Sequence, residues 1–428
     1  MGRRLVQDRD PFRQARIEAQ AHSRPMPRIL IVTAGPLCRN PRVLKEATTL
    51  GRAGLEVTVL TVANRERFEA YDRELMRGAP FRKLAVDRVS RDPVTRLVDV
   101  AERAAGRAAR GAIRFGLQSP VSLGSYHALR RLALRTPAEL TILHTEIPFS
   151  FGSSLVSCGR RVAADFEDWH SRDLLPASRA SRPLRLIESS ERFLMQRSAY
   201  TSAPSRSMAA ALASAYGGPV PVAIPNSFPL QPGPGPLPRQ SPPAFFWFSQ
   251  TIGEGRGLEE FLAAWRLCRT PSSVSLLGDV SASYREKLIC LVPGDRRSSL
   301  RFLPLTSPEN LPSLIAEHDI GLALEPALPE SRYLTATNKI FQYLNAGLAI
   351  LATPTAGQRE ILAKVPAAGL LVDLGSPVSL ASTLDAIAGD PVRLAAMGSA
   401  SRQGAVEHFS WEHFEPLLVD TVNAALKP

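Results

Sequence analysis

Along almost the whole chain, short apolar runs of strand type alternate with segments whose apolar residues recur at helical spacing. The first run is Arg28–Thr33 (RILIVT). After a Gly35-Pro36 turn, Pro41–Ala53 places Val43, Leu44, Ala47 and Leu50 on one stripe, with Pro41 suited to a first helical turn and Gly54 just past the end. Leu55–Val62 (LEVTVLTV) is the next apolar run. Strand, helix and strand at this separation predict a βαβ unit, and therefore a parallel sheet.

The alternation continues through strand-like runs at Leu140–Leu143, Arg161–Ala164, Tyr200–Thr201 and Val220–Ile224. A proline-rich segment, residues 229–243 (PLQPGPGPLPRQSPP), can form neither a helix nor a central strand. The pattern then restarts with strand Ala244–Phe248, glycine loop Gly253–Gly257, helix Leu258–Cys268 and strands Val274–Leu277, Leu300–Leu303 and Ile320–Leu324. Helix Lys339–Asn345 and strand Ala349–Ala352 follow. The expected fold class is α/β, with two Rossmann-like doubly wound domains, 28–228 and 244–407, joined by a linker at 229–243. A flexible tail, 1–27, precedes them and a closing C-terminal helix within 408–428 follows. The repetition is that of whole domains rather than of a short unit.

A chain of 428 residues exceeds one ordinary core, which agrees with this division. Its cysteines, Cys38, Cys158, Cys268 and Cys290, form no C-x-x-C pair, so the spacing suggests neither a zinc site nor a disulfide framework and fits a reducing compartment. The polar, basic first residues lack the apolar segment of a signal peptide, and Val6 stands where a myristoylation signal needs Ser or Thr. No apolar run is long enough to span a bilayer. A cytoplasmic protein is expected, with the inner membrane surface within its reach.

Charge changes the picture. The net charge is +12, and Arg73–Arg135 alone holds 14 basic against 5 acidic residues. Such a patch attracts phosphates of nucleic acid or of anionic lipid. Within it, Arg103, Arg107, Arg110 and Arg114 recur at spacings of 4, 3 and 4, with Leu97, Ala101, Ala104, Ala108 and Phe115 near the opposite side. That is an amphipathic basic helix able to lie on an anionic membrane; the plainer reading is a helix packed on its domain with a solvated arginine face. No aromatic residues interleave with these arginines and no nucleic-acid reader motif is present, so no nucleic-acid partner is expected.

Three segments carry candidate chemistry. Thr251–Leu258 (TIGEGRGL) lies between a strand and a helix, where Gly253 and Gly255 let backbone approach an anion and Arg256 adds a planar donor. It is neither a dinucleotide fingerprint, because Leu258 stands at the third glycine, nor a Walker loop. A plain tight turn is the alternative. In Thr335–Gly347 (TATNKIFQYLNAG), Thr337 or Asn338 can cap a helix whose first turn carries Lys339. A cation there opposes the helix dipole unless an anionic ligand occupies the helix end; otherwise it is a solvated surface lysine. Ala164–His170 (ADFEDWH) offers Asp165, Glu167, Asp168 and His170 at a strand end, able to orient acceptor hydroxyls or supply a base, or else forming a polar loop with Asp165 as a cap.

The stretches at residues 29–61, 248–262 (FSQTIGEGRGLEEFL) and 337–362 (TNKIFQYLNAGLAILATPTAGQREIL), with FSWEHF at 409–414, resemble the retaining glycosyltransferases of family 4 and their relatives, proteins of GT-B architecture. The likeness runs in order over nearly the whole chain. It implies a nucleotide-diphosphate sugar held mainly by the second domain: Arg256 and Lys339 on the diphosphate, Gly253, Gly255, Thr337 and Asn338 lining it, Gly278 bordering the base, and Gln342 at the ribose. It places a glycan or lipid-linked acceptor beside the first domain, past Gly35, Glu146 and Glu167, with Glu146, Asp168 and His170 as candidate catalytic groups. No cofactor and no metal are implied, and peripheral contact with an anionic membrane is. The sequence departs from the family pattern at Gln250 (often Arg), Leu334 and Gln342 (often Glu) and Glu146 (often His). A nucleotide-sugar epimerase and a non-catalytic nucleotide- or glycan-binding protein of the same fold are the alternatives.

Overall fold

The structure, a computed structural model, describes residues 26–63, 65–88, 92–231 and 242–427. Most of the tail expected at 1–27 and of the linker expected at 229–243 lies outside these residues. The first half holds β1 (Arg28–Val32), α1 (Pro41–Arg52), β2 (Glu56–Ala63), β3 (Arg82–Asp87), α2 (Pro93–Ala112), β4 (Leu140–His144), α3 (Glu146–Phe149), β5 (Val162–Asp165), α4 (Leu184–Arg197), β6 (Thr201–Ala203), α5 (Arg206–Tyr216) and β7 (Val222–Ala223). The second holds β8 (Ala244–Ile252), α6 (Leu258–Trp265), β9 (Ser273–Val280), β10 (Leu300–Leu303), β11 (Ile320–Ala323), α7 (Glu330–Leu334), α8 (Asn338–Ala346), β12 (Ala349–Ala352), β13 (Gly369–Leu371) and α9 (Glu415–Leu426). Further helices connect these elements.

The strands form two sheets, ordered β3-β2-β1-β4-β5-β6-β7 and β10-β9-β8-β11-β12-β13. The pairings within both are parallel. Helices cover both faces of such sheets, and strands read as continuous apolar runs for that reason: β4 and β12 are buried at every position. The expected strand at Val220–Ile224 shrinks to the edge pair Val222–Ala223, while β3 and β13, which the apolar pattern did not reveal, complete the sheet edges. β3 reads Arg82-Lys83-Leu84-Ala85-Val86-Asp87, too polar to stand out.

The chain crosses between the two sheets twice at one place. Phe228 pairs with Ser410, and Trp411 N–H donates to the Phe228 carbonyl. The ammonium of Lys45 on α1 lies over the rings of both Phe228 and Trp411, 4.3 and 4.8 Å from their centroids. Beyond the crossing, α9 packs Leu418 and Val422 into the core beneath the first sheet, with Val43, Ala47 and Leu50 of α1. The last helix therefore belongs structurally to the first sheet, although it follows the second.

Candidate donor and acceptor site

In each sheet the direction of strand order reverses once, between β1 and β4 and between β8 and β11. Loops leave opposite faces there and open a crevice at the carboxyl ends of the strands. At the first switch point the Gly35 loop follows β1 and Glu146 opens α3 directly after β4. Ala34 N–H donates to Thr145 Oγ1 at 3.3 Å, tying the two loops together. Thr145 has φ 65°, the one positive value at a non-glycine among the described residues. Backbone held in this region is unfavourable for a β-branched residue and persists where the surroundings demand it. Glu146 is ion-paired with Arg182.

β5 ends at Asp165, where the sequence suggests a capping carboxylate. Its actual partner is Arg42 of α1, which donates from Nε to Oδ1 and from Nη2 to Oδ2, both at 2.8 Å. Ser202 Oγ donates to the same carboxylate, and Arg42 Nη1 donates to the Ile224 carbonyl. Asp165 is thus fully engaged in holding α1, β5 and β6 together. His144, at the end of β4, sits 2.7 Å from Glu46 and 3.8 Å from Glu167. Burial opposes its charge, but the Glu46 and Asp165 carboxylates outweigh that and push its pKa up to about 10. It remains an imidazolium at neutral pH.

The next residues differ sharply in protonation. Burial, with Asp173 and Glu167 nearby, holds the Asp168 carboxyl well above the usual range. Burial brings His170 down to about 4, which leaves it neutral. Its Nε2 is buried without a hydrogen-bond partner, and its ring lies 5.3 Å from Phe149. The loop is held from behind. Trp169 Nε1–H donates to Tyr216 Oη, Tyr216 O–H donates to Glu191, both at 2.8 Å, and Ser171 N–H donates to Glu191 at 3.1 Å. Burial lifts the Glu191 carboxyl to about 7.

On the second sheet, a Cβ at Gly255 would enter open space and one at Gly253 would only reach van der Waals contact with Thr251 Cγ2 at 4.0 Å, whereas Gly257 is hemmed in by Leu374 and Leu324. The loop therefore leaves its first two glycines free to face a ligand and uses the third, in the left-handed conformation, to start α6. Arg256 is half-buried on this loop. Gly278 does not lie in a turn after its strand, as the sequence suggested. It is inside β9, because β8 and β9 continue past the expected ends, and a Cβ there would stand 2.5 Å from the Ser249 carbonyl oxygen. Its role is close strand approach. Gln250 is exposed on the same extension of β8.

α8 begins at Asn338 with Thr337 as its N-cap residue; the buried Thr337 Oγ1 makes no hydrogen bond. Lys339 is not a surface lysine. It is 7% exposed, and its ammonium lies 2.6 Å from Glu325 Oε1. Burial lowers its pKa. The helix is pinned by Tyr343, whose hydroxyl donates toward the Phe246 and Leu322 carbonyls, each at 3.2 Å. Gly321 makes that packing possible, since a Cβ there would meet the Tyr343 ring at 2.3 Å. Gln342, one turn after Lys339, is also buried.

The two halves meet here. Trp169 N–H donates to Ser331 Oγ at 2.9 Å, and Arg172 is ion-paired with Glu330 at 2.8 Å. Loop 165–173 is therefore docked against α7, immediately before Lys339. Asp173 feels the charges of both Arg332 and Arg256. Among the predicted residues, Arg256, Thr337, Asn338 and Lys339 fall at one switch point, with Gln342 a turn further along α8, and Gly35 and Glu146 at the other, with Glu167, Asp168 and His170 on the neighbouring loop after β5. Sequence reasoning missed Arg42, Glu46, Glu325 and Arg332. Glu325 alone had a usable signal, as the acidic residue directly after an apolar strand.

No protein-family model and no curated protein matches the chain. Solved structures do. The fold is GT-B. Anabaena HepE, solved with UDP-glucose, superposes with a TM-score of 0.65 at 14% identity, over 93% of this chain and 100% of HepE. A mutant of S. aureus TarM, solved with Fondaparinux, α-GlcNAc-glycerol and UDP, matches at TM-score 0.65 and 8% identity, over 94% of this chain and 100% of that one. WaaG, a glycosyltransferase involved in lipopolysaccharide biosynthesis, matches at TM-score 0.58 and 14% identity, over 91% and 98%.

Proposed function

We propose that the protein is a glycosyltransferase that moves a sugar from a nucleotide-diphosphate donor to a hydroxyl of a glycan or lipid-linked acceptor. The observation that carries this reading is the concentration of cationic and backbone donors at the second switch point. Arg256 and Lys339 flank a glycine loop open to solvent, and the unpartnered Thr337 hydroxyl stands at the start of α8. An anion with two phosphates satisfies both cations and both helix ends. The bond from the anomeric carbon to the diphosphate oxygen breaks, the electron pair leaves with the diphosphate, and the cations stabilise that charge. The acceptor oxygen forms the new bond and loses its proton. That proton passes to the departing diphosphate oxygen; of the three candidate catalytic groups, burial keeps His170 neutral and its ring a weak base, burial raises the Asp168 carboxyl, and Glu146 is occupied by Arg182. The chain's own cations meet the charge demand, which supports a metal-independent reaction. Retention of anomeric configuration is what the likeness to family 4 implies, and the UDP-glucose bound to HepE makes uridine the first base to test.

The lipid-linked reading draws on α2. Its buried face is Asp99, Gly106 and Ala109, continued by Ile113 in the turn that follows, so the apolar residues that the sequence set opposite the arginines are exposed beside them. Leu97, Val100 and Phe115 are 70%, 58% and 79% exposed, and Arg103, Arg107 and Arg114 are exposed along their flank. Exposed apolar side chains next to cations suit the surface of an anionic bilayer. Among the described residues no helix is long and apolar enough to cross one.

Thermal-shift titration with UDP, GDP, ADP and their sugar conjugates tests the donor site. Saturation at a hundred times the dissociation constant should add about 2.7 kcal/mol of stability. A response followed by sugar transfer to an added acceptor supports the reading. Acceptor-independent conversion of the sugar would make the protein an epimerase, and binding without turnover a carrier.

A further inference from the structure

α7 spans five residues, and three of them reach into the first domain. Glu330 accepts from Arg172 Nη1 at 2.8 and 2.9 Å, Ser331 Oγ accepts from Trp169 N–H at 2.9 Å, and the Leu334 carbonyl accepts from Ser205 Oγ at 2.6 Å. Arg332 turns the other way. Its Nε lies 3.8 Å from Glu325 Oε2, and the other oxygen of that carboxylate holds Lys339 at 2.6 Å. A guanidinium and an ammonium therefore share one buried carboxylate, with Arg256 close enough for all three cations to feel one another.

Three cations around one carboxylate leave two positive charges uncompensated, in a place where burial already disfavours charge. Two further carboxyls, Asp173 and Asp168, feel Arg332 from across the domain boundary, and burial raises both, which disfavours their charged forms. The arrangement is complete only with a dianion. We propose that Arg332 is a third cation of the donor site, contacting the diphosphate of a nucleotide sugar, and that the contacts of α7 with loop 165–173 set its position, so that docking of the two domains completes the site. The inference rests on the donor reading above and adds to it a residue outside the stretches that carry the family resemblance. The short helix thereby links the two sides of the cleft. Glu330 and Ser331 hold the acceptor-side loop, while Arg332, between them and Leu334, holds the donor.

The test is calorimetric titration of the full chain with UDP and uridine, with GDP and ADP run in parallel so that whichever diphosphate binds is used with its nucleoside. Losing one charge-assisted contact should weaken diphosphate binding about tenfold to a hundredfold. Arg332→Gln is expected to show this for UDP while uridine binding stays within about twofold, and Arg332→Lys should lie between it and wild type. Ser331→Ala, which leaves Arg332 intact but releases Trp169 N–H, should weaken UDP by a smaller factor. A purely structural arginine would instead weaken uridine and UDP alike. That result overturns the proposal, as does unchanged UDP affinity in Arg332→Gln; unchanged affinity in Ser331→Ala overturns the role given to α7. Wild type that binds none of the diphosphates would overturn the donor reading itself.

Discussion

Lys339 and Glu325 form a buried ion pair with the ammonium 2.6 Å from the carboxylate, at the start of α8 and the end of β11. Neither charge is tolerated at such a site alone, and the helix dipole opposes the lysine. Glu325→Gln should therefore cost about 3–5 kcal/mol of stability by leaving Lys339 unpaired. A bound diphosphate supplies the missing negative charge, so saturating UDP should raise the melting temperature of this variant by more than it raises that of wild type. Equal shifts in the two proteins would remove Lys339 from the diphosphate site.

The Arg42–Asp165 pair is a structural counterpart on the first domain. Asp165→Asn leaves a buried guanidinium with its bidentate partner lost. A loss of about 3–5 kcal/mol in urea unfolding is expected. A change below about 1 kcal/mol would mean that the Ile224 carbonyl and Asn226 suffice to hold Arg42.

Glu191 gives a pH signature. Its pKa is about 7 in the folded protein, against an ordinary value of 4.5. The native state keeps a proton that the unfolded chain has released across this window. Stability is therefore highest below the ordinary value, falls as pH rises toward about 7, and is level beyond, with a total on the order of 3 kcal/mol. The difference in urea midpoint between wild type and Glu191→Gln, followed from pH 4 to pH 8, should trace this fall. A difference independent of pH would show that folding leaves the Glu191 pKa at its ordinary value.

Gly321→Ala places a methyl group 2.3–2.7 Å from the Tyr343 ring atoms. An aromatic ring standing on a sheet cannot yield like the end of a flexible side chain, so overpacking should destabilise by about 1–3 kcal/mol. Because Tyr343 pins α8, UDP affinity should fall as well. Gly255→Ala, by contrast, meets no neighbouring atom but is strained at φ 69°, so any binding loss it shows comes from the loop backbone.

If α2 rests on anionic bilayers, sedimentation with vesicles containing phosphatidylglycerol should capture the protein at low salt and release it as salt rises. Replacing Arg103, Arg107, Arg110 and Arg114 with glutamine, or Leu97 and Phe115 with serine, should each reduce capture. Binding unchanged by both sets would assign the helix to some other surface.

Much of the architecture was legible in the sequence because parallel strands, buried on both faces, write themselves as unbroken apolar runs such as RILIV and LTIL. The glycine loop, the Lys339 helix and the acidic loop after β5 were legible because short-range spacing fixes which residues fall at a strand end or in a first helical turn. The same local rules located neither the polar edge strand β3 nor the extension of β8 and β9, where pairing with a neighbour rather than propensity decides the end, and Gly278 was misplaced for that reason. Protonation and partnership lay further out of reach. That Asp165 belongs to Arg42, that His144 is charged and His170 neutral, and that Lys339 is buried on Glu325 depend on contacts between residues 14 to 123 positions apart. Such contacts exist only once the sheets have brought strand ends together, because charge and burial act through distance in space and not along the chain.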